Sequence, residues 1–152
     1  MTAVPTKLYH GSMYDAGTVL KPGFFHTHEL VRWDGTESNR YLYATTNHEV
    51  AIDQAVASLL EKRFKATRFR TNGNAIDVWI ENKGKEDPDL SGFSVWLYSI
   101  FTTPSQGWEK VNNAQNNLDD EWKTREFIGF HRKEHRSLEA WLESRKVTFH
   151  KA

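Results

Sequence analysis

A histidine followed by small turn residues, and a pair of tyrosines farther along the chain, are the residues best suited to hold a sugar and a planar ring. The first motif is Leu8-Tyr9-His10-Gly11-Ser12. A neutral imidazole can donate to or accept from a sugar hydroxyl, and a glycine beside it lets a ligand approach the main chain. The second motif, Tyr41-Leu42-Tyr43-Ala44-Thr45, offers aromatic faces for stacking. The ordinary alternatives are a hydrogen-bonded turn histidine and a core tyrosine.

Cationic and aromatic residues are interleaved between Lys62 and Arg70, as Lys62-Arg63-Phe64-Lys65 followed by Arg68-Phe69-Arg70. Grooves that bind single-stranded nucleic acid combine these two residue types. Cations also suit the C-terminal end of a helix, because they oppose the negative end of its dipole. We interpret this basic patch first as a helix end and a strand edge, and second as a surface that contacts nucleic acid or a pyrophosphate group.

The segment His131-Arg132-Lys133-Glu134-His135 matches the pattern of inverted zinc peptidases. In that pattern two histidines one helical turn apart bind the metal, and the glutamate activates water. The basic neighbours of these histidines oppose a bound cation. We therefore interpret the segment as a solvated charged surface and expect no metal.

The pattern of apolar residues predicts the elements that must position the first two motifs. Lys7 to His10 predicts a short strand that ends in a tight turn, and Tyr41 to Thr45 predicts a second strand. Thr46-x-x-Glu49 has the form of a capping box. It predicts a helix that begins at Thr46 and ends near Phe64.

The rest of the chain predicts further short strands and one more helix. Strands are expected at 67–71, 75–81, 93–101 and 126–130, the first two joined by the turn Asn72-Gly73-Asn74. Ser137 is expected to cap a short amphipathic helix. Loops are expected at 27–40, 83–92 and 104–120. Several short strands around one long helix predict an α+β fold, in a single domain that covers residues 1–152.

Composition excludes several classes of protein. Twenty basic and twenty acidic residues cancel, so no global field draws the chain onto nucleic acid or an anionic membrane. The chain has no cysteine, which excludes disulfides and thiolate chemistry. No stretch approaches the roughly 18 apolar residues of a membrane span. We expect a cytoplasmic protein without membrane contact.

Three segments, taken in order, resemble the opening of the small ADP-ribosyltransferases. They are Leu8 to Ser12, Gly17 to Gly23 (GTVLKPG) and Tyr41 to Ala51 (YLYATTNHEVA). The resemblance is closest to the rifamycin-inactivating members and to related phage and toxin proteins. It covers the first third of the chain, with a weaker echo at Trp122 to Glu126. It implies an α+β fold with a split β core, one main helix after the second motif and a short C-terminal helix.

The resemblance also implies that NAD is the substrate and that specific residues hold it. His10 would hydrogen-bond a ribose hydroxyl of the adenosine half, Gly11 would offer its main chain to the nicotinamide amide, and Tyr43 would stack on the nicotinamide ring. Ser12 and Tyr41 complete the expected cofactor-binding set. Breaking the nicotinamide–ribose bond builds positive charge on the sugar, so such a site must stabilise a cationic centre and fix the leaving ring.

The family places a carboxylate or amide on a late strand, where it binds the 2′-hydroxyl of the reacting ribose and orients the acceptor. In the rifamycin-inactivating group an aspartate of the preceding loop serves instead. Of the late acidic residues we favour Glu126 slightly over Glu121. The sequence Glu-Phe-Ile-Gly-Phe, which begins at Glu126, resembles the family's late strand, in which a glutamate is the first residue. Either residue could be a surface carboxylate. The late acidic candidates are Glu109, Asp119, Asp120, Glu121 and Glu126.

The implied reaction is mono-ADP-ribosylation: transfer of ADP-ribose from NAD to a nucleic acid, a protein or a small molecule, with release of nicotinamide and without a metal. One alternative is a relative that lacks catalysis and binds a nucleotide or a protein. Another is an RNA 2′-phosphotransferase, which shares the His-Gly start but needs arginines around a phosphate. The spacings of Arg40, Arg68 and Arg125 do not match that requirement.

Overall fold

The computed structural model describes residues 3–22, 41–81, 86–111 and 121–151, and in these it contains nine strands and two α-helices. A 3-10 helix, Pro104–Gln106, precedes the sixth strand. The predicted α+β class is confirmed. In chain order the elements are β1 (Lys7–Ser12), β2 (Leu42–Thr45), α1 (His48–Phe64), β3 (Ala66–Asn72), β4 (Ala75–Ile80), β5 (Ser94–Phe101), β6 (Glu109–Lys110), β7 (Glu121–Thr124), β8 (Arg132–Ser137), α2 (Leu138–Ser144) and β9 (Lys146–Lys151).

The strands form two sheets, and α1 packs between them. The larger sheet has the order β6-β7-β2-β1-β5-β8, and the smaller has the order β3-β4-β9. All strand pairs are antiparallel except β4 with β9. Apolar residues of α1, including Val56 and Leu60, share one core with Ile76 and Val78 of β4 and Val95 of β5. A second core, which includes Leu8, Leu42 and Tyr98, packs on the larger sheet.

The start of α1 differs from the predicted capping box by one residue. The N-cap is Asn47, whose side-chain oxygen accepts hydrogen bonds from the amides of Glu49 and Val50. A short side chain at this position satisfies amides that lack partners within the helix. The predicted end of the helix is confirmed at Phe64, after which Lys65 adopts a left-handed conformation.

The predicted strand at 126–130 is wrong. The strand in this region is β7, and within 126–130 only Ile128 pairs, through an isolated bridge with Leu20. Ile128 is buried in the core, whereas Phe127 is 67% exposed. The apolar pattern therefore reflects one buried contact. β7 was not predicted because three of its four residues are polar although all four are buried, so its sequence does not show the alternation of apolar and polar residues expected of a strand.

Besides β7, three strands were not predicted: β6, which lies within the loop predicted at 104–120, and β8 and β9. β8 is a charged edge strand, and charge on an edge blocks pairing with other chains, so its sequence lacks an apolar alternation. β9 follows α2, which Ser137 caps as predicted. The predicted hairpin is confirmed, with Gly73 at φ +60° in the turn between β3 and β4. The loop predicted at 27–40 lies outside the described residues.

Candidate active site at a split in the larger sheet

The larger sheet opens between β1 and β2. These strands share a single residue pair, Tyr9 with Thr45. In contrast, β1 forms six pairs with β5, and β2 forms four with β7. The ladder therefore stops where β1 carries His10 and Gly11 and β2 carries Tyr43. A gap in a ladder is a place where main-chain groups and inserted side chains can meet a ligand.

His10 spans this split. Its Nδ1 lies 2.6 Å from the carbonyl oxygen of Tyr43, and the side chain is buried. Because a carbonyl oxygen only accepts, Nδ1 carries the proton, and in the neutral ring Nε2 is then the acceptor nitrogen. The fold therefore fixes both the position and the tautomer of the imidazole, on the strand predicted to carry it.

The tyrosine rings occupy a different environment from the imidazole. Tyr43 is only 4% exposed and packs with Tyr41 and Val111, whereas the ring of His10 lies beside Tyr98 at 6.2 Å. The structure thus joins the two motifs through the main chain of Tyr43, and its ring sits in an aromatic cluster. This burial agrees with the alternative interpretation of Tyr43 as a core residue.

Gly11 and Ser12 both have structural partners. A Cβ on Gly11 would lie 1.9 Å from the carbonyl oxygen of Ala51, so α1 can pack on β1 only if this residue is glycine. The Ser12 hydroxyl accepts a hydrogen bond from the amide of Tyr14. The glycine brings the helix close to the split, and the serine stabilises the turn that follows β1.

Tyr98 closes the side of the site next to His10. Its hydroxyl accepts a hydrogen bond of 2.6 Å from the amide of Ala16. Burial raises the pKa of the Tyr98 phenol above its usual value of 10.0, against the opposing effect of this hydrogen bond. The phenol is therefore a neutral neighbour of the imidazole.

Glu121 is the late carboxylate that the sheet brings to the same level as the split. It opens β7, lies opposite Thr45, and is 7% exposed. Its Oε2 accepts a hydrogen bond of 3.1 Å from the side-chain amide of Gln54 on α1. Through the pairs Tyr9–Thr45 and Thr45–Glu121, this carboxylate shares a row with Tyr9 on the face of the sheet that α1 covers. Because side chains alternate along a strand, the neighbouring His10 turns to the opposite face, beside Tyr98.

The other late carboxylates lie elsewhere. Glu126 is exposed, lies beyond the end of β7, and has its amide bonded to the Thr124 hydroxyl, so it does not open a strand. Glu109 is exposed on β6. Asp119 and Asp120 lie outside the described residues.

Two basic residues beside Tyr41 were not predicted as part of this site. Lys123 lies opposite Tyr43 on β7, and its Nζ is 4.7 Å from the centre of the Tyr41 ring. Arg125 donates a hydrogen bond of 2.8 Å to the Tyr41 hydroxyl. The spacing Glu121-x-Lys123 could have indicated that both side chains lie on one face of a strand. It was not recognised because the strand was predicted at 126–130 instead. Such cations can bind phosphate oxygens.

The zinc-peptidase pattern falls on an extended strand. His135 Nε2 lies 2.5 Å from the Ser94 hydroxyl, and the His131 ring stacks on Phe101 at 3.7 Å. Four residues of a strand span roughly 13 Å, so these histidines are not one helical turn apart. Within the ranges described above, no group of three or more His, Asp or Glu side chains is arranged to hold a metal ion.

Comparisons with protein-family models, with curated proteins and with solved structures gave no match. The resemblance to the ADP-ribosyltransferases therefore depends on the motifs and on where the fold places them. None of the helices in the described part of the chain is both long enough and apolar enough to cross a membrane.

Proposed function

We propose that this chain is a mono-ADP-ribosyltransferase that uses NAD. The observation that carries the proposal is the split between β1 and β2, where the His10 imidazole bonds the Tyr43 carbonyl and a buried carboxylate, Glu121, lies on the next strand. Three motif residues that are distant in sequence thus lie on three adjacent strands.

The roles follow from the chemistry of each group. The reaction breaks the bond between the nicotinamide nitrogen and the ribose, transfers the sugar to an acceptor nucleophile, and releases the acceptor proton to solvent. A carboxylate near the reacting ribose stabilises the positive charge that develops on the sugar, and we assign this role to Glu121. His10 holds a ribose hydroxyl of the adenosine half through the ring whose tautomer the Tyr43 carbonyl fixes.

Lys123 and Arg125 extend the proposal to the pyrophosphate. Both contact the tyrosine pair, with Arg125 bonded to the Tyr41 hydroxyl and Lys123 over the Tyr41 ring. Charge-assisted hydrogen bonds to phosphate are among the stronger polar interactions in proteins. Binding of NAD would draw these side chains from the ring of Tyr41 to the phosphates, and it would require the buried Tyr43 ring to become accessible.

The test measures nicotinamide release from NAD by chromatography, with water as acceptor and then with nucleic acid, protein and small-molecule acceptors. Glu121→Gln keeps the shape and the bond to Gln54 while removing the charge. We expect it to lower turnover about 100-fold or more while NAD affinity, measured by calorimetry, changes little. Glu126→Gln is the matched control, and we expect activity within about twofold of the parent chain.

The remaining outcomes separate the alternatives. NAD binding without turnover in the parent chain selects a non-catalytic relative that binds a nucleotide. Absence of NAD binding refutes both. If Glu126→Gln abolishes turnover and Glu121→Gln does not, the assignment of the carboxylate is wrong although the activity stands.

A further inference from the structure

The smaller sheet carries a row of stacked aromatic and cationic side chains on one face. Arg68, Trp79 and His150 are register partners on β3, β4 and β9. The guanidinium of Arg68 lies 4.6 Å from the centre of the Trp79 ring, and the His150 ring stacks on the same indole at 4.6 Å and 17°. The Trp79 ring is therefore in contact with a cation from β3 and with an imidazole from β9, across all three strands. We call these residues, together with Arg70, Asp77 and Lys146 on the same side of the sheet, the outer face.

The opposite face of this sheet is fully used by the core. Ile76 and Val78 are buried against α1, and Phe69 stacks on Trp141 of α2. Because side chains alternate along a strand, the stack points away from that core. The outer face is therefore not needed to hold the sheet to the rest of the fold.

On the outer face, Asp77 interacts with both Arg70 and His150. Arg70 pairs with Asp77 at 3.1 Å, its guanidinium also lies 5.4 Å from the Trp79 ring, and His150 Nε2 lies 2.8 Å from the other oxygen of Asp77. Asp77 thus holds one cation and one ring of the stack in position. The hydrogen bond from His150, followed by that from Arg70, lowers the pKa of Asp77.

The outer face has an excess of positive charge in a chain whose charges cancel. Arg68 and Arg70 are exposed on β3, and Lys146 is exposed on β9. Asp77 is the carboxylate among them. Within the described ranges Arg68 has no carboxylate at ion-pair distance, and its guanidinium is held by the indole alone. An exposed guanidinium beside an aromatic ring can also stack on a nucleic-acid base.

We propose that the outer face binds single-stranded nucleic acid. Nucleic-acid bases stack on the guanidinium of Arg68 and on the imidazole of His150. The arginines and Lys146 neutralise phosphates along the nucleic-acid chain. Single-stranded nucleic acid is the ligand that combines exposed planar bases with regularly spaced negative charge. The proposal does not require the chain to transfer ADP-ribose.

Fluorescence anisotropy with labelled single-stranded DNA and RNA of about 12 nucleotides tests the proposal. We expect the double variant Arg68→Ala with Arg70→Ala to weaken binding about tenfold or more. We also expect the slope of log affinity against log salt to become shallower by about 1.4, because two phosphate contacts are lost. The matched control, Arg132→Ala with Arg136→Ala on β8, removes the same charge from another exposed strand and should bind as the parent does.

Two comparisons separate stacking from charge. Arg68→Lys with Arg70→Lys keeps both charges but not the planes, and we expect it to recover only part of the lost affinity. Inorganic polyphosphate carries the charge without bases and should bind more weakly than the oligonucleotide. Equal affinity for polyphosphate, full recovery with lysine, equal loss in the β8 control, or no binding by the parent chain would each overturn the proposal. Tighter binding of an acidic peptide than of the oligonucleotide would overturn it in favour of a protein partner.

Discussion

The split in the larger sheet and the outer face of the smaller sheet hold polar groups in opposite ways. At the split, His10 and Glu121 are less than 10% exposed, and each has a hydrogen-bonded partner from another element. On the outer face, Arg68 and Arg70 are exposed and lie against an indole. A buried polar group without a partner destabilises the fold, whereas an exposed one does not. Substitutions should therefore be costly at the split and well tolerated on the outer face.

The largest effect is expected for Gly11→Ala at the split. The new Cβ would lie 1.9 Å from a main-chain oxygen of α1, so helix and strand must separate. We expect a loss of about 3 kcal/mol or more in the free energy of unfolding, measured with urea. Gly129→Ala is the control, because nothing lies within 4 Å of its Cβ position, and its effect should be small. Equal stability of the two variants would show that α1 does not pack on β1 in this way.

A second prediction concerns the inner side of the smaller sheet, where Asp53 accepts a hydrogen bond of 2.9 Å from the Trp141 indole and pairs with Arg145. Burial raises the pKa of Asp53 above 3.8, against the opposing effects of Trp141 and Arg145. The folded chain then binds this proton more tightly than the unfolded chain does. The corresponding stability is present below pH 3.8 and is lost as the pH rises through the raised pKa.

Asp53→Asn cannot ionise, so its free energy of unfolding relative to the parent should increase as the pH rises from below 3.8 through the raised pKa of Asp53. Asp89→Asn is the control with the opposite sign. Hydrogen bonds from Ser91 lower the pKa of Asp89, so its stabilising effect appears as the pH rises, and this variant should lose stability relative to the parent. Urea titrations at several pH values measure both, and parallel trends for the two variants would contradict the assignment.

An intermediate effect is expected at the start of α1, the helix that separates the two regions. Asn47→Ala removes the oxygen that accepts from two amides of the first turn and should destabilise the fold by about 1 kcal/mol. Thr46→Ala removes the residue that the sequence pattern identified as the cap. If thermal unfolding shows a larger loss of stability for Thr46→Ala than for Asn47→Ala, the N-cap of the helix is Thr46 and not Asn47.

The smallest effect is expected on the outer face. Arg68→Ala with Arg70→Ala should change the free energy of unfolding by no more than about 0.5 kcal/mol for each residue. The β8 pair, Arg132→Ala with Arg136→Ala, should behave in the same way. A clear loss of stability confined to the β3 pair would mean that the stack on Trp79 serves the fold, and the contrast between the two regions would disappear.

The sequence predicted the elements that carry strong local signals. Turn residues located the hairpin between β3 and β4, apolar spacing located α1, and Ser137 located the start of α2. His10 and Tyr43 were correctly placed on strands, but the predicted turn at Gly11 and Ser12 was wrong, because both residues pair with β5 and extend β1. Local signals were weaker for β7 and β8, because the polar residues of β7 are buried and those of β8 lie on an edge. The strand predicted at 126–130 was wrong for a different reason, because its apolar pattern reflects the single buried contact of Ile128.

By itself, the sequence determined the α+β class, the turn between β3 and β4, the cap of α2 and the candidate residues of the site, because these depend on neighbours within a few positions. Only the tertiary structure decided that β1 and β2 separate after one pair, that Glu121 and not Glu126 lies beside them, and that Arg68 and His150 both contact Trp79. Strand order and register depend on residues far apart in the chain, and a shift of one residue would turn each of these side chains to the other face.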